Sequence, residues 1–96
     1  MWAYWSEYPK VNRNGQDFAI IDGRLYSEHA CERMVPSTMM AAGSRYKGRG
    51  VPPTYVEEAI RYGSPTLQDD GTTMYTNGTL KVVVNEFDAV VTVICW

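Results

Sequence analysis

The feature that most restricts the fold is the last quarter of the chain, Thr72 to Cys95, where β-branched residues recur between two turn signals. Thr72 to Thr76, the pair Asn77-Gly78, and Thr79 to Val84 read as a hairpin, because Asn-Gly supplies the positive φ angles that a type I′ turn needs. Asn85 to Asp88 reads as a second turn, and Ala89 to Cys95 as a closing strand. With a four-residue second turn, Val84 falls opposite Ala89 and Lys81 opposite Thr92. Lys81 and Thr92 then share one sheet face with Val83, Val90 and Ile94, an expected floor for a site roofed by the first helix. A slip of one residue would turn each of these side chains to the other face.

That first helix is expected from Tyr26 to Met34. Ser27 is a good N-cap, Glu28 follows it in the first turn, and Pro36 sets an end near Val35. Ser37-Thr38 are then placed to cap a brief turn through Met39, Met40, Ala41 and Ala42. Pro52-Pro53-Thr54 opens a second helix, Tyr55 to Tyr62, with Gly63 as its stop. Val56, Ala59 and Ile60 form its apolar stripe, and Glu57, Glu58 and Arg61 are expected to face water. Upstream, Phe18 to Asp22 and Arg24 to Tyr26, separated by Gly23, read as a short strand or strand pair. Residues 1 to 22 read as a lead-in or linker with that short strand, and residues 23 to 96 as a single domain.

At 96 residues there is room for one modest core, and the abundance of apolar and aromatic residues argues against disorder. No apolar run nears the roughly 18 residues of a membrane helix, and no signal-peptide pattern is present. Cys31 and Cys95 sit in apolar surroundings and read as buried thiols, with a disulfide between them the alternative. No Cys/His cluster has metal-ligand spacing, so neither a metal nor another cofactor is expected. The net charge of −2 does not suit a general nucleic-acid binder. Its distribution says more: from Arg33 to Val56 there is no acidic residue, while Arg33, Arg45, Lys47 and Arg49 are cationic. A locally basic stretch on an acidic protein suits a confined anionic target.

The candidate chemistry centres on His29, the sole histidine, and Arg33, four residues on and therefore on the same helical face. Imidazole is the side-chain type that exchanges protons near neutrality, and guanidinium matches phosphate oxygens bidentately. The stretch Gly43 to Gly50 adds glycines for close backbone approach, cations for phosphate, and Tyr46 for stacking on a base. Each has a plainer role available. A histidine between Glu28 and Glu32 can be a solvated surface residue, Arg33 can pair with a carboxylate, and Thr92 is a good strand former.

The run Gly23-Arg24-Leu25-Tyr26-Ser27-Glu28-His29-Ala30, continuing to Glu32-Arg33-Met34 and Pro36, resembles the His-Ala-x-x-Arg-Met segment of small C-terminal toxin domains. Those domains belong to bacterial polymorphic and contact-dependent inhibition systems. Arg49-Gly50-Val51, Val56 to Ile60 with Gly63, Gly71 to Thr79, and Val90 to Ile94 follow in that family's order, so the resemblance spans about residues 23 to 96. It implies the α+β fold of the barnase/EndoU/colicin/RelE group, with N-terminal helices packed on a small twisted antiparallel sheet. It also implies a metal-independent ribonuclease that commonly cuts transfer RNA. The matching positions are His29, Arg33 and Thr92, with Tyr75 as a fourth, while Arg45, Lys47, Arg49 and Lys81 would hold substrate. The sequence pI of about 5.2 departs from the pattern, being low for a ribonuclease. The resemblance further implies delivery into a target-cell cytoplasm as part of a larger secreted or surface protein, and a cognate immunity protein. The alternatives are a non-catalytic RNA- or protein-binding module and a toxin acting on another nucleic-acid substrate.

Overall fold

The computed structural model describes residues 5–34 and 50–95. A 3-10 turn, Trp5–Glu7, leads into three strands: β1 (Lys10–Arg13), β2 (Gln16–Ile21) and β3 (Arg24–Tyr26). Helices α1 (Glu28–Met34) and α2 (Pro53–Tyr62) follow, and then β4 (Ser64–Leu67), β5 (Thr73–Asn77), β6 (Leu80–Val84) and β7 (Val90–Cys95). Among the described residues all seven strands form one sheet in the order β1-β2-β3-β7-β6-β5-β4. Its neighbours are antiparallel except β3 and β7, which run parallel at Tyr26 and Val90.

This architecture overturns the expectation of N-terminal helices on a small antiparallel sheet. The sheet is mixed and larger, three of its strands precede the first α-helix, and among the described residues the helix nearest the N-terminus is the short 3-10 turn. The reason lies in two turns. Asn14-Gly15 and Asp22-Gly23 both have positive φ at each residue, 53° and 82° and then 50° and 80°. Two-residue loops of this kind match the right-handed twist of the strands they join, so residues 10 to 26 zip into a meander. A division at residue 22 would cut through the β2–β3 turn, and Ala19 and Ile21 of β2 lie in the same core as the helices.

Strand alternation sorts the sheet into two faces. Ala19, Ile21, Tyr26, Val82, Val84, Val90 and Val93 join Ala30, Cys31 and Met34 of α1 and Val56 and Ala59 of α2 in one cluster. Both helices therefore lie on one side. The α2 stripe follows the expected pattern, with Val56 and Ala59 buried and Ile60 packed against the cluster. Glu57 departs from it, because it bonds Arg24 of β3 instead of facing water.

Three local readings also change. The β5–β6 loop consists of Gly78 and Thr79, since Asn77 pairs with Leu80, and only Gly78 has positive φ. Glycine at the first loop position is the type II′ pattern instead of I′. Gly63 ends α2 in an extended conformation, φ −73°, with its N–H donating to the Ala59 carbonyl at 2.8 Å. It is needed for space: an added Cβ would lie 2.3 Å from the Ala59 oxygen and 3.0 Å from the Thr76 oxygen. Finally, β4 was not foreseen, and it forms the sheet edge beyond β5. The expected turn at residues 37–42 lies outside the described residues.

Candidate functional site

The start of α1 is fastened to the sheet through one residue. The Ser27 N–H donates to the Val90 carbonyl at 2.8 Å, and the Ser27 hydroxyl donates to the Val91 carbonyl at 2.9 Å. The same hydroxyl oxygen accepts the Ala30 N–H at 3.1 Å, completing the N-cap expected from sequence. Ser27 itself is buried, and two of these hydrogen bonds tie the first turn to β7 at Val90 and Val91.

That place is a β-bulge. Val84 pairs with Val90 while Val83 pairs with Thr92, leaving Val91 as an extra residue. The turn is one residue longer than expected, pairing Val84 with Val90 instead of Ala89, and the bulge adds one more, so Lys81 lies opposite Ile94 and not opposite Thr92. A shift of two preserves the face, and Lys81 and Thr92 remain on one side as diagonal neighbours. That side is not roofed by α1. Val82 and Val93, the adjacent pair, point into the helix-side core, so alternation turns Val83, Thr92, Lys81 and Ile94 the other way.

His29 is exposed on the first turn of α1 and lines a groove of about 420 Å³ with Gln16, Ser27, Glu28, Glu32 and Val91. Imidazole, two carboxylates and one amide therefore meet around a space open to solvent. Arg33, one turn further along, is half-buried with its Nε enclosed, and it does not line this groove. Tyr75 projects to the helix side, opposite Val82, where it packs against the core. Tyr75 and Thr92 thus stand on opposite faces of the sheet. The structure brings His29 together with Glu28 and Glu32, and it does not gather His29, Arg33, Tyr75 and Thr92 around one point. Arg45, Lys47 and Arg49 lie outside the described residues.

Sequence reasoning missed the groove's other members. Glu32 is three residues from His29 and shares its helical face, a signal that was legible but read only as a solvated flank. Gln16 could not be placed without the β1–β2–β3 meander. Among the described residues no group of three or more His, Cys, Asp or Glu is arranged to hold a metal ion. Cys31 is a free thiol, buried beside the core, and burial pushes its pKa up to about 12. It is therefore a structural residue, with no nucleophilic character at neutral pH.

Comparison of the chain with protein-family models, with curated proteins and with solved structures returned no match.

Proposed function

We propose that the protein is an endoribonuclease that cleaves RNA by attack of a ribose 2′-OH on the adjacent phosphate, with transfer RNA as the substrate class. The observation that carries this reading is the exposed His29 in a groove shared with Glu28 and Glu32. The reaction needs one group to take the 2′-OH proton and another to protonate the departing 5′ oxygen. The 2′ oxygen bonds to phosphorus, the bond from phosphorus to the 5′ oxygen breaks, and the products are a 2′,3′-cyclic phosphate and a free 5′-OH. A carboxylate and an imidazolium in one groove supply both proton transfers, each typically worth a factor of about 10² to 10⁴. Glu32 is the base in this scheme and His29 the acid. Arg33, on the same helix but outside the groove, takes no part in this scheme. The nucleophile is part of the substrate, so the scheme requires no metal. Delivery as the C-terminal part of a larger toxin, and inhibition by an immunity protein covering this groove, belong to the same proposal.

The test is incubation of the purified chain with total transfer RNA in excess chelator, followed by mapping of the cut ends. Cyclic phosphate ends with wild type and none with His29→Ala, on a protein whose unfolding curve is unchanged, are the expected result. DNA of the same sequence should survive, since it lacks the 2′-OH. Full activity in His29→Ala would refute the scheme. A second reading is favoured by the acidic lining of the groove, since Glu28 and Glu32 repel phosphate: a non-catalytic module that binds a protein partner there. Stable complex formation with no cleaved RNA after long incubation would select it.

A further inference from the structure

The chain holds four asparagines, Asn12, Asn14, Asn77 and Asn85. A side-chain amide of this kind has a reaction of its own, because the backbone nitrogen of the next residue can attack it and close a five-membered imide ring. Two conditions decide which asparagine reacts. The attacking N–H must be free of other partners, and the residue that carries it must be small enough to approach, which favours glycine.

Three of the four fail at least one condition. Asn12 precedes Arg13, and its amide is tied on both sides, Nδ2 donating to Asp17 Oδ1 at 3.0 Å and Oδ1 accepting the Gly15 N–H at 3.2 Å. Asn85 precedes Glu86, and its Oδ1 accepts the N–H groups of Phe87 at 2.9 Å and Ala89 at 3.0 Å. Asn14 has a glycine next to it, but the N–H of that glycine is the one held by Asn12. The backbone of Asn14 adds a second obstacle. Its φ of 53° lies in the left-handed region, where ψ is about +47° and the next amide nitrogen stands almost opposite Cβ, as far from the side chain as it can be.

Asn77-Gly78 meets both conditions. Asn77 is the last residue of β5, and both it and Gly78 are exposed. Among the described residues neither the Asn77 side chain nor the Gly78 N–H makes a hydrogen bond. The extended backbone of a strand, with ψ of about +135°, swings the next nitrogen away from the far side of Cβ. Asn77 also lines a solvent-open hollow of about 220 Å³ with Tyr55, Glu58 and Leu80, so water has access to it.

We propose that Asn77 is a site of spontaneous deamidation in the folded protein, and that the reaction sets a second carboxylate in the hollow beside Glu58. The Gly78 nitrogen bonds to Asn77 Cγ and gives its proton to water, the bond from Cγ to Nδ2 breaks, and Nδ2 takes up a proton and leaves as ammonia. Water then opens the imide. Attack at Cγ restores the original chain with aspartate at position 77, whereas attack at the main-chain carbonyl leaves isoaspartate, in which the chain runs through Cβ and Cγ and gains one atom. Either product adds a negative charge to a hollow that already holds the Glu58 carboxylate, and like charges there repel. Isoaspartate also lengthens the chain at the closing rung of the β5–β6 ladder, where Asn77 faces Leu80. Both changes loosen this hairpin, and neither depends on what the His29 groove does.

The experiment ages the full chain at physiological temperature and mildly alkaline pH, once folded and once in concentrated guanidinium, and follows each asparagine by peptide mapping with mass spectrometry. In guanidinium both Asn-Gly pairs should convert at comparable rates, because only local sequence then acts on them. In the folded chain Asn77 should convert about fivefold or more faster than Asn14, the factor set by one hydrogen bond of ordinary net strength, with Asn12 and Asn85 intact. Equal rates at Asn14 and Asn77 in the folded chain, or an unmodified Asn77 after the guanidinium sample has fully converted, would overturn the inference. The effect of the added charge is read from Asn77→Asp, whose urea midpoint should fall below that of wild type and recover in part when Glu58→Gln is added. A fall of the same size with and without Glu58 would overturn the charge contact.

Discussion

Replacing Tyr26 with phenylalanine should make the protein more stable. The side chain is completely buried among Ala19, Val90 and the helix-side core, and its hydroxyl finds no partner. In the unfolded chain water satisfies that hydroxyl, so folding strips it without repayment, at roughly 1 to 3 kcal/mol. Deleting the oxygen forfeits a few dispersion contacts of about 0.1 to 0.2 kcal/mol each, well below the desolvation recovered. A net gain of about 1 kcal/mol corresponds to a Tm rise of roughly 4 to 8 °C in a domain of this size. Urea unfolding followed by tryptophan fluorescence is the assay, with the midpoint rising and the slope unchanged. The sign at high pH follows from the same burial. Desolvation raises the Tyr26 phenol above its ordinary value of 10.0, so the unfolded chain ionises first and stability falls as pH climbs past about 10. Tyr26→Phe should flatten that fall. A loss of about 1 kcal/mol or more at neutral pH would mean that the hydroxyl is bonded, and the reasoning would fail.

Three further outcomes follow from particular contacts. The Cys31 thiol is held up at about 12 against an ordinary 9.0, so both states keep the proton below pH 9. Between pH 9 and 12 the unfolded state deprotonates first, and stability should drop by about 1.4 kcal/mol per unit until the folded thiol titrates. Cys31→Ala should remove the thiol's share of that slope, which is read most directly between pH 9 and 10, before Tyr26 adds its own, from urea midpoints at successive pH values. Gly63→Ala should destabilise by about 2 kcal/mol or more, because the new methyl meets two backbone oxygens; a change within about 0.5 kcal/mol in a thermal melt would contradict the packing at the end of α2. Glu57→Gln should weaken the β3–α2 link by about 1 kcal/mol or less, since the pair is partly exposed. That loss should shrink in high salt, and a loss independent of salt would point to packing instead of charge.

Much of the scaffold is local and was therefore legible. Ser27 caps α1 as its hydroxyl and position require, and the Val56-Ala59-Ile60 stripe buries as its helical spacing demands. The β5–β6–β7 region pairs in chain order because short loops leave antiparallel neighbours little choice. The N-terminal meander was also written locally, in Asn14-Gly15 and Asp22-Gly23, yet its polar, exposed β1 carries no apolar alternation to announce a strand.

The sequence by itself determined that α1 and α2 are helical and that β5, β6 and β7 pair in chain order, and it singled out the one imidazole on a helix face. Those properties depend on neighbours within about four residues. Only the tertiary structure decided the company that His29 keeps and the face on which Thr92 stands. The β7 bulge adds one residue to a ladder and moves every partner beyond it, while Gln16 reaches the His29 groove through a meander that begins before residue 22. Contacts between segments far apart in sequence depend on register and strand order, and neither is encoded in the spacing of any single motif.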